Sequence, residues 1–260
     1  MLAIERKAEI LATLQREKSV LVAELSQKYQ VTEETIRRDL DKLEKEGYVK
    51  KTYGGAVLSK NTGVEIPFKV REKTNKREKQ TIAGLVQRLI EEGESIMLDS
   101  SSTSLMVARN LKQYRKLTVI TNSVEILLEL SSCKNIRVLS TGGELRESAL
   151  SLGGRQAEQM LRHYNVDKAV LSCKGVSMDK GITDSNEPEA QVKSTMRECA
   201  KTTIWAIDST KFGNVSFIHL AQFREGDIVV TDKPLELRWM DYFEEKGIRV
   251  VVETESHDQG

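Results

Sequence analysis

Residues 31–56, VTEETIRRDLDKLEKEGYVKKTYGGA, decide the fold of the N-terminal region. Three apolar residues recur there at the spacing of one helix face: Ile36, Leu40 and Leu43. This periodicity predicts a helix that begins at Glu33. Thr32 is a good N-cap for it, and Val31 stands at the spacing of a hydrophobic staple with Ile36. The start of this helix is therefore well specified by the local sequence.

Apolar patterns upstream predict two more helices, marked by Leu2, Ile10, Leu11 and Leu14, and by Val22, Leu25 and Tyr29. Downstream, Gly47 stands where a helix C-terminus favours glycine. Residues 48–58 predict two small strands around a Gly54-Gly55 turn. The predicted order is helix, helix, helix, hairpin.

The outer face of the third helix is rich in basic residues. Arg38, Lys42 and Lys45 lie opposite the apolar face. Arginine and lysine contact phosphates or guanine edges, and a helix N-terminus with hydroxyl groups can meet a backbone phosphate. The hairpin would add a wing. We therefore predict DNA contacts from Thr32, Thr35, Arg37, Arg38, Lys42, Lys50, Lys51 and Tyr53.

The alternative is a small helical dimerisation module whose charges only solvate one face. Five acidic residues give it some support: Glu33, Glu34, Asp39, Asp41 and Glu44. Against it stands the pattern V-x-x-L-x-x-x-Y-x-V-T-x-x-T-I-R-R-D-L-x-x-L-E-x-x-G-Y-V-x-K-x-Y-G-G-A, from Val22 to Ala56. This pattern resembles the winged helix-turn-helix of the DeoR family of bacterial transcriptional regulators.

Residues 60–80 contain seven lysines and arginines against three glutamates. The simplest interpretation is a basic, nearly core-free linker. We predict a DNA-binding domain at residues 1–58, a linker at 59–78 and a second domain at 79–253.

In the second region, apolar strand-like runs alternate with helical patterns. The runs are residues 95–98, 117–121, 136–140, 168–172, 202–207, 227–231 and 249–253. Alternation of this kind predicts an α/β domain with a mostly parallel sheet that helices cover on both faces.

Hydroxyl groups, glycines and charges follow the ends of these strands. Open α/β sheets bind ligands at the carboxyl ends of their strands, and a helix that opens on Ser and Thr presents N–H groups to an anion. Simple helix capping is the alternative for any single loop. We predict ligand contacts from Asp99, Ser100, Ser101, Ser102, Thr103, Thr121, Asn122 and Gly142, with Lys174 and Lys211 as countercharges.

The motifs D-S-S-S-T, T-N-S, T-G-G-E, K-G-V-x-x-x-x-G-I-T-D, E-A-x-V-K-x-x-M and D-S-T-K-F are similar to the DeoR C-terminal sensor domain. That resemblance implies a fold like ribose-5-phosphate isomerase and a phosphorylated sugar held by residues 100–103. It adds Asp184 and Glu189 to the predicted site, with Glu189 in the place of the isomerase general base and Lys211 in that of its substrate-binding lysine. Lys174 departs from the isomerase pattern, which has carboxylates in that turn.

Composition excludes several functional classes. The longest uncharged run, residues 212–223, has 12 residues, which is too short to span a membrane. The N-terminal residues lack the apolar stretch of a secretory signal, so the cytoplasm is the expected location. The three cysteines and three histidines are scattered, and neither a disulfide framework nor a metal site is expected. The Gly-rich motifs of dinucleotide-binding and P-loop proteins are absent, so we expect no cofactor.

The sequence thus favours a DNA-binding regulator, most simply a repressor of a sugar-catabolic operon, controlled by a phosphorylated sugar. A sugar-phosphate isomerase with an accessory helical domain is the alternative, and a purely structural oligomer is a weaker one. The net charge of +1 means that DNA binding must depend on a local basic patch. Because one recognition helix contacts few base pairs, a homo-oligomer is expected.

Overall fold

A computed structural model describes residues 1–59 and 63–253. The chain divides into two compact units, Met1–Lys76 and the residues from Arg77 onward. No helix in the described part is both long enough and apolar enough to cross a lipid bilayer.

The first unit contains the predicted three helices and hairpin. Its elements are α1 (Ala3–Glu17), β1 (Ser19–Leu21), α2 (Val22–Tyr29), α3 (Glu33–Lys45), β2 (Val49–Thr52), β3 (Gly55–Leu58) and α4 (Phe68–Lys73). The strands form an antiparallel sheet in the order β1-β3-β2, so the hairpin gains a third strand that the sequence did not predict. Leu2 lies before α1 and is 67% exposed, so the prediction that it marks the apolar face of this helix is wrong.

Local capping and a common core explain why this unit folds. The Thr32 hydroxyl accepts a hydrogen bond from the Thr35 amide at 3.3 Å, which makes Thr32 the N-cap of α3. Gly47, just past the end of α3, has a φ of +81°, a conformation that glycine adopts at little cost. The core draws apolar side chains from all three predicted helices and the hairpin, including Ile10, Leu14, Leu25, Ile36, Leu40, Leu43, Val49 and Ala56.

The segment predicted as a nearly core-free linker contains α4. Phe68 and Val70 are each 1% exposed, and Val70 belongs to the core of the first unit. Lys73 Nζ also lies 2.6 Å from Glu9 Oε1 of α1. The prediction failed because Phe68 and Val70 stand among basic residues, without the i, i+3 or i+4 apolar spacing that would mark a buried helix face. Lys60 lies outside the described residues, and the domain boundaries at 58 and 78 stay predictions.

The second unit alternates strands and helices. Its helices are α5 (Lys76–Gln87), α6 (Ser102–Leu111), α7 (Val124–Leu130), α8 (Arg155–Leu161), α9 (Glu187–Glu198) and α10 (Leu237–Glu245). Its strands are β4 (Ser95–Leu98), β5 (Leu117–Thr121), β6 (Ile136–Ser140), β7 (Glu144–Arg146), β8 (Ser151–Gly153), β9 (Val166–Leu171), β10 (Gly175–Ser177), β11 (Gly181–Asp184), β12 (Ala200–Ala206), β13 (Ile218–Ala221), β14 (Ile228–Thr231) and β15 (Arg249–Val252).

A seven-stranded sheet in the order β15-β14-β12-β9-β4-β5-β6 forms the centre of this unit, and all its neighbouring strands are parallel. In β4, the consecutive residues Ile96, Met97 and Leu98 are all fully buried, so both faces of the sheet are covered. The predicted fold class is confirmed. Strand order reverses between β4 and β9, and this switch point is where open α/β sheets form a ligand crevice.

Two small antiparallel sheets accompany the main sheet. They are the hairpin β7-β8 and the sheet β10-β11-β13. The backbone N–H of Val124 donates to Leu150 O at 2.9 Å and that of Leu152 to Asn122 O at 2.7 Å. The hairpin β7-β8 therefore lies against the residues that follow the carboxyl end of β5.

Candidate DNA-binding and effector sites

A buried ion pair joins α1 to α3. Arg6 Nε donates to Asp39 Oδ2 over 2.6 Å, and the two side chains are only 8% and 5% exposed. Asp39 is therefore not one of the solvated charges that would support the alternative of a helical dimerisation module. Its carboxylate lies beside the apolar face of α3 and holds this helix against α1.

The outer face of α3 is exposed, as a DNA-contacting face requires. Arg37 and Arg38 form ion pairs with Glu33 at 2.6 Å and Glu34 at 3.4 Å, each one helical turn away. Exposed i,i+4 pairs of this kind contribute only about 0.3 to 0.5 kcal/mol, so phosphates can displace the glutamates at little cost. Lys42 is exposed on the same helix.

The hairpin β2-β3 presents the other predicted DNA-contacting residues. Tyr53 at its tip is fully exposed, and Lys50 is exposed on β2. Lys51 is tied to α3, because its amide donates to Glu44 Oε1 at 2.8 Å and its Nζ pairs with Asp41. The hydrogen bond to Asp41 raises the pKa of Lys51. A groove between α3 and the hairpin brings Arg37, Lys51 and Tyr53 together.

Asp99 organises the carboxyl end of β4 in the second unit. It is fully buried, and its Oδ1 accepts hydrogen bonds from the Ser101 amide at 3.0 Å and the Ser104 hydroxyl at 2.6 Å. Its Oδ2 accepts from the Ser172 amide at 2.9 Å, at the end of β9. Asp99 thus fixes the two loops that flank the switch point.

The N-terminus of α6 offers unpaired donors. Ser101 is its N-cap and accepts a hydrogen bond from the Ser104 amide at 3.0 Å. The backbone N–H groups of Ser102 and Thr103 have no acceptor within residues 1–59 and 63–253. Such groups at a helix N-terminus, with the positive end of the helix dipole, favour an anion.

Lys193, which the sequence analysis did not single out, lies in the same region. Its Nζ donates to Asp184 Oδ2 at 2.6 Å and to Ser172 O at 3.0 Å, and lies 3.5 Å from Asp99 Oδ2. Burial opposes the charged form, but the carboxylates outweigh it and raise the pKa of Lys193. Burial likewise opposes ionisation of Asp184, yet Lys193 and Lys174 lower the pKa of Asp184. Lys193 is therefore a charged ammonium that neutralises two buried carboxylates.

Glu189 joins three elements of the second unit. Its Oε2 accepts from the Ser100 hydroxyl at 2.6 Å. Its Oε1 accepts from Arg146 Nη1 at 2.9 Å and from the Ser151 hydroxyl. A carboxylate whose two oxygens are both occupied in this way holds the loop before α6 and the hairpin β7-β8 against α9.

Lys211 approaches the switch point from the far side of β9. Its Nζ donates to Cys173 O at 3.1 Å and lies 3.9 Å from Asp208 Oδ2. The amide of Ser172, in the same turn, donates to Asp99, and Asp99 also accepts from the Ser101 amide at the N-terminus of α6. The turn after β9 is therefore linked to Lys211 on one side and to the N-terminus of α6 on the other. Burial raises the pKa of the neighbouring Cys173 thiol to about 12, so this cysteine is protonated at neutral pH.

The remaining predicted ligand residues follow β5 and β6. The Thr121 hydroxyl donates to Leu98 O at 2.7 Å, and Asn122 Nδ2 donates to Leu152 O at 3.2 Å. Gly142 has a φ of +62° in the turn after β6. Thr141 N donates to Thr121 O at 3.1 Å, which places that turn beside the end of β5. The structure thus gathers the predicted strand-end residues at one edge of the sheet, and their contact with a ligand stays a prediction.

Sequence reasoning missed Arg146, Ser151 and Lys193. Lys193 stands four residues after Glu189 and next to the apolar Val192, a spacing that places both charged residues on one side of α9. That spacing was a usable signal. Arg146 and Ser151 gave no such signal, because their strands have three residues each and are too short for an alternation to be recognised.

Comparison with known proteins agrees with this two-unit architecture. Residues 6–62 match a family model described as a DeoR-like helix-turn-helix domain, and residues 74–233 match one described as the DeoR C terminal sensor domain. Together the two models cover most of the chain.

Two relatives match over nearly their whole length. The HTH-type transcriptional regulator YulB of Bacillus subtilis is 42% identical, over 96% of this chain and 96% of the relative. The transcriptional repressor AccR of Agrobacterium fabrum is 33% identical, over 96% and 92%. Ribose 5-phosphate isomerase A of Methanocaldococcus jannaschii superposes with a TM-score of 0.40 at 18% identity, over 54% of this chain and 55% of that one. A TM-score this low gives no basis for transferring chemistry from that enzyme.

Proposed function

The chain belongs to the DeoR family of transcriptional regulators, and on this premise we propose that it represses a sugar-catabolic operon until a phosphorylated sugar binds its second unit. In this account α3 and the hairpin β2-β3 bind operator DNA. The phosphate of the effector binds at the N-terminus of α6, and Lys211 and Lys174 supply countercharge.

The observation that carries the effector proposal is the pair of N–H groups at Ser102 and Thr103, buried residues whose amides have no acceptor in the described chain. Phosphate oxygens are the natural acceptors for such groups. The Lys211 ammonium reaches the adjacent turn at Cys173 O, 3.1 Å away, which brings positive charge to the same strand-end edge.

The family consists of regulators rather than enzymes, and the site supports the same reading. A general base needs a carboxylate oxygen that can take a proton from its substrate. Both oxygens of Glu189 already accept hydrogen bonds from Ser100, Arg146 and Ser151. The arrangement favours a binding site over an isomerase site.

Two further parts of the proposal concern regulation and assembly. Repression is the proposed direction because AccR, a relative over nearly its whole length, is named a repressor. A homo-oligomer is proposed because a single α3 contacts too few base pairs for useful operator specificity, and dimers contact two half-sites.

Thermal unfolding in the presence of phosphorylated pentoses and hexoses tests the effector proposal. An effector at 100 times its dissociation constant should stabilise the protein by about 2.7 kcal/mol. The same sugars without phosphate serve as controls and should not raise the midpoint. If no phosphorylated sugar stabilises the chain, the effector proposal is wrong.

A further inference from the structure

The side-chain carbonyl of Asn122 is a buried acceptor with no donor in the described part of the chain. Asn122 is 1% exposed, and its Oδ1 has no hydrogen-bond partner among the residues that the structure describes. The orientation of the amide is set by Nδ2, which donates to Leu152 O at 3.2 Å. Reversing the amide would set two carbonyl oxygens against each other. A buried unpaired acceptor costs folding free energy, so its presence calls for an explanation.

Asn122 lies at the same edge of the sheet as the proposed phosphate site at the N-terminus of α6. Leu98 and Thr121 are paired in the register of β4 and β5, so the residues that follow them, Asp99 and Asn122, leave the sheet side by side. The turn after β6 also reaches this edge through the hydrogen bond from Thr141 N to Thr121 O. The unpaired carbonyl therefore belongs to the crevice and not to the distant core.

Three hydroxyl groups of the surrounding loops already donate to other acceptors. Ser100 and Ser151 donate to Glu189, and Thr121 donates to Leu98 O. Turning any of these hydroxyls toward Asn122 would take a hydrogen bond away from a buried carboxylate or carbonyl oxygen. None of these three hydroxyls can therefore serve Asn122 at low cost, which leaves room for a donor from a bound ligand.

We propose that Asn122 Oδ1 accepts a hydrogen bond from a hydroxyl group of the effector, an inference that rests on the phosphorylated-sugar site proposed above. A carbonyl oxygen repels phosphate oxygens, so Asn122 contacts the sugar part while the N-terminus of α6 holds the phosphate. The site then discriminates between a sugar phosphate that has a hydroxyl at the matching carbon and the analogue that lacks it.

The test compares phosphorylated sugars with their monodeoxy analogues by calorimetric titration. The probes are ribose 5-phosphate, glucose 6-phosphate, fructose 6-phosphate, fructose 1-phosphate and their monodeoxy forms. For the sugar that binds, one deoxy position should weaken binding to the wild type about tenfold, the ratio that corresponds to one neutral hydrogen bond. Asn122→Ala should bind this matched pair with equal affinity.

Two further variants keep the test decisive. Asn122→Asp retains the acceptor oxygen but loses the hydrogen bond from Nδ2 to Leu152 O, so it should keep the discrimination while its overall affinity falls. Asn110→Ala, a half-buried asparagine toward the far end of α6, should behave as the wild type. The discrimination is the ratio of two dissociation constants, deoxy analogue over parent sugar phosphate, measured on one protein. A general loss of affinity or stability therefore does not change it.

Equal binding of every deoxy analogue by the wild type, or a tenfold ratio that survives in Asn122→Ala, would overturn the role of Asn122. Neither result would contradict the phosphate site at the N-terminus of α6. Equal binding of every deoxy analogue would mean that a water molecule, and not the sugar, pairs with Asn122 Oδ1. If none of the probes binds to the wild type, the proposed effector class itself fails, and the role of Asn122 fails with it.

Discussion

Arg6 of α1 and Asp39 of α3 form an ion pair of 2.6 Å in the interior of the first unit. Asp39 belongs to the T-I-R-R-D-L segment whose two arginines face outward. One helical segment therefore contains both the residues proposed to contact DNA and the residue that fixes the helix in place. The geometry of the proposed DNA-contacting face therefore depends on an ion pair buried beneath it.

Replacing Asp39 by alanine should leave the Arg6 guanidinium buried without its partner. Breaking a buried pair from one side costs about 3 to 5 kcal/mol. Calorimetry of the full chain should show a lower midpoint for the first unit only. The control is Glu34→Ala, which removes an exposed partner of Arg38 and should change stability by less than about 0.5 kcal/mol. Equal effects of the two changes would contradict a structural role for Asp39.

Gly55→Ala should disrupt the three-stranded sheet of the first unit. A Cβ at this position would lie 2.0 Å from Val20 O, a backbone atom that cannot move without separating β1 from β3. We expect a loss of about 1 to 3 kcal/mol or more, with weaker DNA binding because the hairpin shifts. Gly84→Ala meets nothing within 4 Å in helix α5 and should stabilise the protein by about 0.5 to 1 kcal/mol. A neutral Gly55→Ala would contradict the packing of β3 on β1.

The elements that the sequence predicted well are those with a local signal. The helix at Ile36, Leu40 and Leu43 follows from apolar spacing and from the cap at Thr32, and both lie within 13 residues. The strands of the main sheet are short apolar runs of the kind that buried parallel strands require. Residues 100–103 could be assigned to a strand end by the same reasoning.

What the sequence could not predict depends on distant contacts. Arg146 meets Glu189 across 43 residues of chain, and Arg6 meets Asp39 across 33. Neither partner has a neighbour in sequence that indicates the contact. Phe68 and Val70 were missed because burial of α4 on α1 outweighs the basic composition around them.

Replacing Lys193 by methionine should cost about 3 to 5 kcal/mol at pH 7, because Asp99 and Asp184 remain buried without the ammonium that contacts them both. In the wild type the pKa of Asp184 is lowered, so its stabilising contribution is present above about pH 4 and lost below. In the variant, Lys193 no longer offsets the burial that raises the pKa of Asp184, and protonation of this carboxylate relieves the repulsion. The difference in unfolding free energy between wild type and variant should therefore shrink from pH 7 toward pH 4.

Urea unfolding at several pH values, followed by the fluorescence of Trp205 and Trp239, measures this effect because both tryptophans lie in the second unit. The control is Lys201→Met, whose ammonium is 74% exposed beside Asp167 and should matter little. A difference that grows as the pH falls would contradict the assignment of Lys193 as a charged partner.

Alanine at Arg37 and Arg38 should weaken DNA binding. The loss should be about 1 to 3 kcal/mol for each base contact, or about one unit of the salt slope for each phosphate contact. Arg162→Ala is a matched control, since Arg162 pairs with Glu198 at 2.7 Å with an exposure like that of the Arg37–Glu33 pair. Filter binding at several salt concentrations measures both quantities. Equal behaviour of Arg37→Ala and Arg162→Ala would remove Arg37 from the interface.

The most direct test of the account is a titration of labelled duplex DNA, selected by the protein from a random pool, with and without the stabilising sugar phosphate. The wild type should lose operator affinity by about 5- to 150-fold when the effector is present. Lys211→Ala should bind the same duplex with unchanged affinity and ignore the effector, because the variant lacks a charge proposed to pair with the effector phosphate while α3 is intact. The claim that a phosphorylated sugar controls operator binding would be contradicted if no such sugar changed the operator affinity. It would also be contradicted if Lys211→Ala responded to the effector at the same concentration as the wild type.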